Sequence, residues 1–392
     1  MTTSEGGSPP GEPRWEAEVL VPDVMELLER MAEAGTPGGE GRSREGVAAL
    51  LEAELGKRGA RVARRSSGDL GSHLLAHIPA APTAGSAAQP RPLALLAHMD
   101  RVPPPPELAW PPDQLEAHRL VGPGVVEMRG GIAVTLAALD LLRGRGTGPR
   151  SPLLLLLAAD GEVGFPSSGA LIREVGAASR AVLVPSGVPP GGGVVVRRRG
   201  AGSASIQVHG REARAGSPLP GGSSAVHEIV LQLQSVLELA DPGEETAVNV
   251  SWVEGGRRPF LVAGGARARV DYHFQSRREG ERLAEAIRSL RPVVPGCSLT
   301  VEGGIGLWPL EPTAGSDALL EVARRAAMAL DQPLPERSLP SPGVANLAAA
   351  TGSPTLDGLG PEGEWGTGLQ EELLLEALPS RIEFLARVIS TA

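Results

Sequence analysis

Apolar residues recur every three or four positions through VPDVMELLERMAEAG (21–35) and REGVAALLEAELGKRG (44–59), and each run ends at a glycine. That spacing puts one apolar stripe on a helix, and glycine suits a helix end. Two short apolar runs, HLLAHIPA (73–80) and PLALLAH (92–98), predict strands. GGIAVTLAALDLLRG (130–144) predicts a helix rich in small residues. PLLLLLAAD (152–160) reads as a buried strand, SGALIREVG (168–176) as a helix and AVLVPSG (181–187) as another strand. Buried strands alternating with helices predict an α/β sheet with helices on both faces.

The pattern changes near 190. After the linker-like VPPGGG, the stretch VVVRRRGAGSASIQVHG (194–210) alternates with a period of two. SSAVHEIVLQLQSVLELA (223–240) and GERLAEAIRSL (280–290) have helical spacing, and TAVNVSWVEGG (246–256) and ARARVDYHFQ (266–275) read as strands. An antiparallel sheet with two helices on one face, ferredoxin-like in kind, fits this set. From about 305 the first texture returns, with helices at DALLEVARRAAMAL (317–330) and LPSRIEFLARVI (378–389). The expected organisation is a tail without order at 1–14, an α/β domain from 15–192 and 305–392, and an α+β domain inserted at 193–304.

A length of 392 residues agrees with two domains. The net charge of −9 argues against a nucleic-acid partner, which needs a basic field. Aromatic residues at 3% leave few stacking platforms. Lys57 is the only lysine, which makes lysine-based chemistry a poor expectation. The single Cys297 excludes an intrachain disulfide and a cysteine-based zinc site. The longest leucine run, 153–157, is far too short to span a bilayer. The N-terminus lacks an apolar signal core, so a cytoplasmic protein without membrane partners is expected.

In open α/β sheets the ligand site lies beyond the carboxyl ends of the strands. His98, Asp160, Glu162 and the PSG at 185–187 fall there. Residues two apart on a strand face the same side, so Asp100 can reach the imidazole of His98. On the residues alone, the pair is either a metal ligand with its orienting carboxylate or a hydrogen-bonded histidine at a strand end.

Five segments in order resemble the M20 family of metallopeptidases, on its glutamate carboxypeptidase and acetylornithine deacetylase side. They are LLAHMDRV, GPGVVEMRGGIA, AADGEVGFPSSGA, VHGREARAGSPLPGGSSAV and SPTLDGLGPEGEWGTGLQEEL. The resemblance implies a zinc-peptidase-like mixed sheet, an inserted dimerisation or lid domain, and amide hydrolysis by two zinc ions sharing a carboxylate. It implies that His98 is a terminal ligand oriented by Asp100, that Glu127 stands at the bridging carboxylate, and that Glu162 is a terminal ligand of the other metal. Arg129 replaces the family's lysine.

Elsewhere the resemblance breaks down at polar positions. The general base falls on Gly161, one terminal ligand on Val184 and another on Thr367. The oxyanion histidine falls on Arg214, where a permanent cation could contact an anion. The substrate-binding asparagine and arginine fall on Phe260 and His273, and an aspartate falls on Val344. A zinc site normally presents at least three protein ligands. Neither metal reaches that number here, so zinc at no more than partial occupancy is expected.

Other polar residues carry blander expectations. Arg197, Arg198 and Arg199 read as a solvated strand face. His118, His209 and His227 have no ligand spacing, and Cys297 reads as an inert small residue. Asp160 and Glu364 are the carboxylates that could take over missing positions. The leading expectation is a pseudoenzyme or repurposed hydrolase that binds a small acyl-amino-acid or peptide-like ligand. One alternative is a metal-dependent amidohydrolase or carboxypeptidase with a single or rearranged metal. Another is a structural partner of an active paralogue. Homodimerisation through 193–304 is expected with the first.

Overall fold

A computed structural model describes residues 16–35, 40–81, 90–101, 114–116, 118–216, 221–365 and 370–392. The tail at 1–14 and Thr367 lie outside the described residues. The chain divides into two compact units.

The first unit comprises Met1–Val194, Gly315–Pro335 and Pro354–Ala392. Its six-stranded sheet runs in the order Arg61–Ser66, Ser72–Ile78, Leu153–Ala158, Leu93–His98, Ala181–Leu183, Thr355–Leu356. The first two junctions are antiparallel and the rest parallel. The central strand Leu93–His98 is buried at every position, which is why it reads as a continuous apolar run rather than an alternating one. Helices Glu40–Lys57, Arg129–Gly144 and Gly169–Ala178 pack against the strands.

Helix Arg129–Gly144 is buried along nearly its whole length. Its small residues permit that. A Cβ at Gly131 would run into the carbonyl of Pro185, and one at Gly130 into that of Val125. The helix start is thereby pressed against the strand end that carries Val184, a placement only glycine allows.

The second unit comprises Val195–Ala314 and Glu336–Ser353. Sequence reading had placed the 336–353 segment, and 305–314, with the other domain. The four-stranded antiparallel sheet is ordered Ala247–Gly255, Gly265–Phe274, Gly200–His209, Ser298–Leu307. Strand Gly200–His209 alternates between buried and less buried positions, matching its period of two. Helices Ala225–Leu237 and Arg277–Arg288 pack on this sheet. Ser224 and Ser276 cap them by accepting from the backbone N–H of His227 and Glu279. Ile206, Val270, Tyr272, Phe274, Leu283 and Ile287 belong to the core between them.

Asn346 fixes the 336–353 segment. Its side-chain amide donates to the carbonyls of Arg199 and Trp308 at 3.0 and 2.7 Å. The arginine run corrects one expectation. Arg198 is only 3% exposed and donates to the Ser341 carbonyl at 3.1 Å, so of the three only Arg197 is exposed. Among the described residues, no helix is long and apolar enough to cross a membrane.

Candidate functional site

The site of interest lies in the first unit, where the central strands end. Met99 N–H donates to the Ala158 carbonyl at 2.8 Å, which holds strand end 98–100 beside the 158–162 turn. The Asp100 carboxylate, 3% exposed, serves both. Its Oδ1 lies 3.1 Å from His98 Nδ1 and accepts from Gly161 N–H at 2.9 Å, while Oδ2 accepts from Glu162 N–H at 3.0 Å. Burial pushes the Asp100 pKa up, but the bond and charge of His98 and the two backbone donors outweigh it and hold it below the ordinary value. Burial likewise disfavours a charged His98. The hydrogen bond to Asp100 and the charges of Asp100, Glu162 and Glu127 prevail, and its pKa is raised.

His98 is boxed in by two further residues. The edge of its ring meets Phe165, with centroids 6.1 Å apart and planes at 79°. Phe165 is 7% exposed and has φ +61°, a conformation a bulky residue adopts only at a cost. On the other side lies Gly161. A Cβ built there would fall 2.6 Å from His98 Cδ2 and Nδ1, and closer still to Cγ. The imidazole therefore occupies the space that a side chain at 161 would need.

Glu162 has its pKa raised by burial and by Asp100, partly offset by His98 and Arg129. Glu127 is half-buried and is followed by Met128 at φ +55°, a second strained residue at the site. The 126–127 backbone is held by Glu371, whose Oε2 accepts from the N–H groups of Val126 and Glu127 at 2.7 Å each. Burial raises the Glu371 pKa to about 7; the charge of Glu127 adds to this and the backbone donors oppose it. Arg129 is buried and donates to the carbonyls of Met99 and Met31 at 3.1 and 3.2 Å. Burial, together with the charge of Arg101, brings its pKa down to about 9, against the pull of Asp100, Glu162 and Glu371. The Arg129 guanidinium thus lies among the carboxylates, with Arg101 near enough to act on it.

The remaining sequence candidates are dispersed. Val184 is fully buried and continues the sheet: its N–H donates to Leu356 and its carbonyl accepts from Leu359. Asp160 is also fully buried, and it is saturated. It accepts from the backbone N–H and hydroxyl of both Ser167 and Ser168, at 2.5–3.0 Å. A carboxylate with its lone pairs so occupied pins the start of helix Gly169–Ala178 and is not a substitute base. Glu364 is exposed and lies 3.6 Å from Arg119. Arg214, exposed, pairs with Leu261 in a two-stranded ladder of the second unit. Phe260, beside that ladder, is 84% exposed at φ +64°. His273 is half-buried, and burial and Arg199 lower its pKa while Asp271 opposes them.

Among the described residues, no three His, Cys, Asp or Glu side chains are grouped so that they could hold a metal ion. Glu127 and Glu162 each act electrostatically on His98, but the three do not form such a group. Sequence reasoning missed Glu371 and Phe165. Glu371 stood in the quoted SPTLDGLGPEGEWGTGLQEEL, but the backbone it serves lies 244 residues away. Phe165 left no signal.

Comparison with known proteins fits this architecture. The chain is 26% identical to carboxypeptidase G2 from Pseudomonas sp. (strain RS-16) over 380 residues, covering 94% of this chain and 89% of that one. It is 29% identical to acetylornithine deacetylase from Myxococcus xanthus over 225 residues, covering 53% of this chain and 56% of that protein. The aminopeptidase PepT structure from Bacillus cereus superposes with a TM-score of 0.72 at 19% identity, covering 95% of this chain and 98% of that one. At that identity the likeness carries the fold alone, a mixed α/β architecture with several sheets and helices. The family model for peptidase family M20/M25/M40 matches residues 94–391, taking in the Asp100 corner, the Glu127 turn and the closing helix, and the chain belongs to that family.

Proposed function

We propose that this M20 protein uses its cleft to bind a small acyl-amino-acid or peptide-like ligand and does not hydrolyse it with two zinc ions. The observation that carries this reading is the Gly161 corner. The position aligned with the general base has no side chain, and the imidazole of His98 fills the space beside it. The donors described do not fit a dinuclear zinc site: Val184 is buried in sheet, Asp160 is saturated, and no group of three ligands is present among the described residues. The strand ends bring together an imidazole and the carboxylates of Glu127 and Glu162, which suits a ligand offering amide or charged groups to them. Elemental analysis of protein purified without chelator tests the reading, alongside turnover of acyl-amino acids and dipeptides with zinc added. The expected result is well under two zinc ions per chain and no zinc-dependent turnover. About two zinc ions with brisk turnover would overturn it.

The second reading is a single weakly held metal on His98, Glu127 and Glu162. It is favoured by the fact that both glutamates act electrostatically on His98. About one zinc per chain with zinc-dependent hydrolysis would select it.

We also propose homodimerisation through the 193–304 region. Val230, Leu231 and Leu237 of one helix, and Trp252 and Val253 of the edge strand Ala247–Gly255, are exposed. Sedimentation showing only a 40.4 kDa monomer at micromolar concentration would count against it.

A further inference from the structure

We infer that Gly161 is a positioning residue for His98: the bare backbone at 161 is the seat on which the imidazole rests, and a side chain there would displace the ring from its present place. The inference rests on the reading that the cleft binds a ligand, and it gives that cleft a defined imidazole in place of a carboxylate base.

Four observations meet at this point. The three atoms nearest a Cβ at 161 all belong to the His98 ring: Cγ, Cδ2 and Nδ1. Gly161 does not have a positive φ, so its backbone would accept alanine, and the ring is the obstacle. Asp100 Oδ1 couples the two residues, accepting from Gly161 N–H at 2.9 Å and meeting His98 Nδ1 at 3.1 Å. Phe165, at φ +61°, meets the ring in a T-shaped contact.

The geometry fixes which nitrogen can meet a ligand. A carboxylate at Nδ1 requires that nitrogen to carry the proton and donate. Cγ, Cδ2 and Nδ1 face Gly161, so Nε2 is the ring nitrogen left for a ligand. With position 161 bare, the imidazole rests against the backbone there while it meets Asp100. Restoring a glutamate at 161 would evict the imidazole from Asp100.

The test is a double-mutant cycle in the full chain, Gly161→Ala with His98→Ala, read by urea unfolding. Residues in contact show coupling, whereas independent sites add. In the wild-type background Gly161→Ala should raise the unfolding constant at least tenfold. With His98→Ala the same change should cost less than threefold, because the ring has gone. If Gly161→Ala fails to fold alone, recovery of folding in the double variant gives the same result, and failure to recover overturns the inference, as does simple additivity.

The spectroscopic arm uses long-range proton–nitrogen NMR of the imidazoles, with the His98 signals assigned by their loss in His98→Ala. Gly161→Ala should shift both His98 ring nitrogens. Gly59→Ala is the control: it has φ +78° and nothing within 4 Å, so it carries backbone strain without touching the ring or the 158–165 turn. It should leave the His98 signals in place. Unchanged His98 signals in folded Gly161→Ala would overturn the inference. Neither arm uses metal content or turnover, so either can fail while the proposed function stands.

Discussion

A glycine makes room for a ring in each unit, and the two sites differ in what happens to the ring's polar atom. In the first unit Gly161 underlies His98, and Asp100 accepts the hydrogen bond from Nδ1–H. In the second, a Cβ at Gly202 would come within 3.0 Å of Tyr272 Cζ, Cε2 and Oη, so the strand pairing Tyr272 with Gly202 works only because position 202 is bare. There the hydroxyl has no hydrogen-bond partner among the described residues, although Tyr272 is 1% exposed. The same steric device seats a ring that can do chemistry in one place and a ring that only fills a core in the other. Polar satisfaction separates the two. Around the first ring the buried carboxylates are saturated, as at Asp100 and Asp160, and elsewhere in that unit the Arg381 guanidinium donates to the carbonyls of Gly360, Gly193 and Gly358. Side chains held in satisfied networks stay in one orientation, which a binding site requires.

The largest effect should come from removing the acceptor that serves three donors. Asp100→Ala leaves His98 Nδ1 and the N–H groups of Gly161 and Glu162 without their carboxylate. Breaking a buried charged network in this way costs about 3–5 kcal/mol. Asp100→Asn, which keeps one acceptor oxygen, should cost less. Urea unfolding of both variants checks the order. A loss below about 1 kcal/mol for the alanine variant would mean that the corner is not held as the hydrogen bonds suggest.

Glu54 gives a pH-dependent form of the same test. Burial pushes its pKa up, but hydrogen bonds from Lys57, Arg58 and Arg30 outweigh this and bring it from 4.5 to about 2. A carboxyl depressed on folding contributes stability that is present above its unfolded pKa and lost as pH falls through the folded one. The contribution should therefore be complete above pH 4.5 and disappear between there and about 2. Lys57 and Arg30 are exposed to water, and screening reduces the contribution to about 1–2 kcal/mol. Glu54→Gln should remove it at pH 7 and flatten the acid limb of the stability curve. An unchanged acid limb would remove Glu54 from the first unit's paired groups.

The elements of both units were legible because period and composition act locally. The run Leu93–His98 announced a strand buried on both faces, and the alternation from Gly200 to His209 announced one buried on a single face. The partnership of His98 and Asp100 was legible too, since strand geometry alone brings i and i+2 to one side. The rest depends on distant groups. Asp160 read as a free carboxylate because nothing at 160 says that both serines at 167 and 168 will turn back onto it. Arg198 read as solvated because its carbonyl acceptor is 143 residues away. Gly161 read only as a loss, since a glycine says that a side chain is absent and not what fills the gap. Thr367 remains an expectation outside the described residues.

Gly202→Ala carries the comparison into the second unit. Forcing a methyl group into the Tyr272 ring is overpacking, which typically costs about 1–3 kcal/mol. The cost should fall sharply in a Tyr272→Ala background, as the cost of Gly161→Ala should fall when His98 is removed. Additive losses at Gly202 and Tyr272 would show that the ring has another place to go, and the two glycines would then differ in kind.

The smallest effect is the most diagnostic, because its sign is unusual for a core position. Burial raises the Tyr272 pKa, with Arg288 opposing it only in part, so the hydroxyl stays protonated and needs an acceptor. None is present among the described residues. An orphaned buried polar group costs about 1–3 kcal/mol, and removing it while keeping the ring's shape is neutral or stabilising. Tyr272→Phe should therefore unfold at the same or higher urea concentration, with a gain of up to about 1 kcal/mol. The equivalent deletion in the first unit, taking away the carboxylate that His98 uses, should go strongly the other way. A loss of more than about 1 kcal/mol on Tyr272→Phe would mean that the hydroxyl has a partner, an ordered water being the simplest, since buried waters typically satisfy such groups. The contrast between the units would then be one of partner type, side chain against solvent, rather than of satisfied against orphaned.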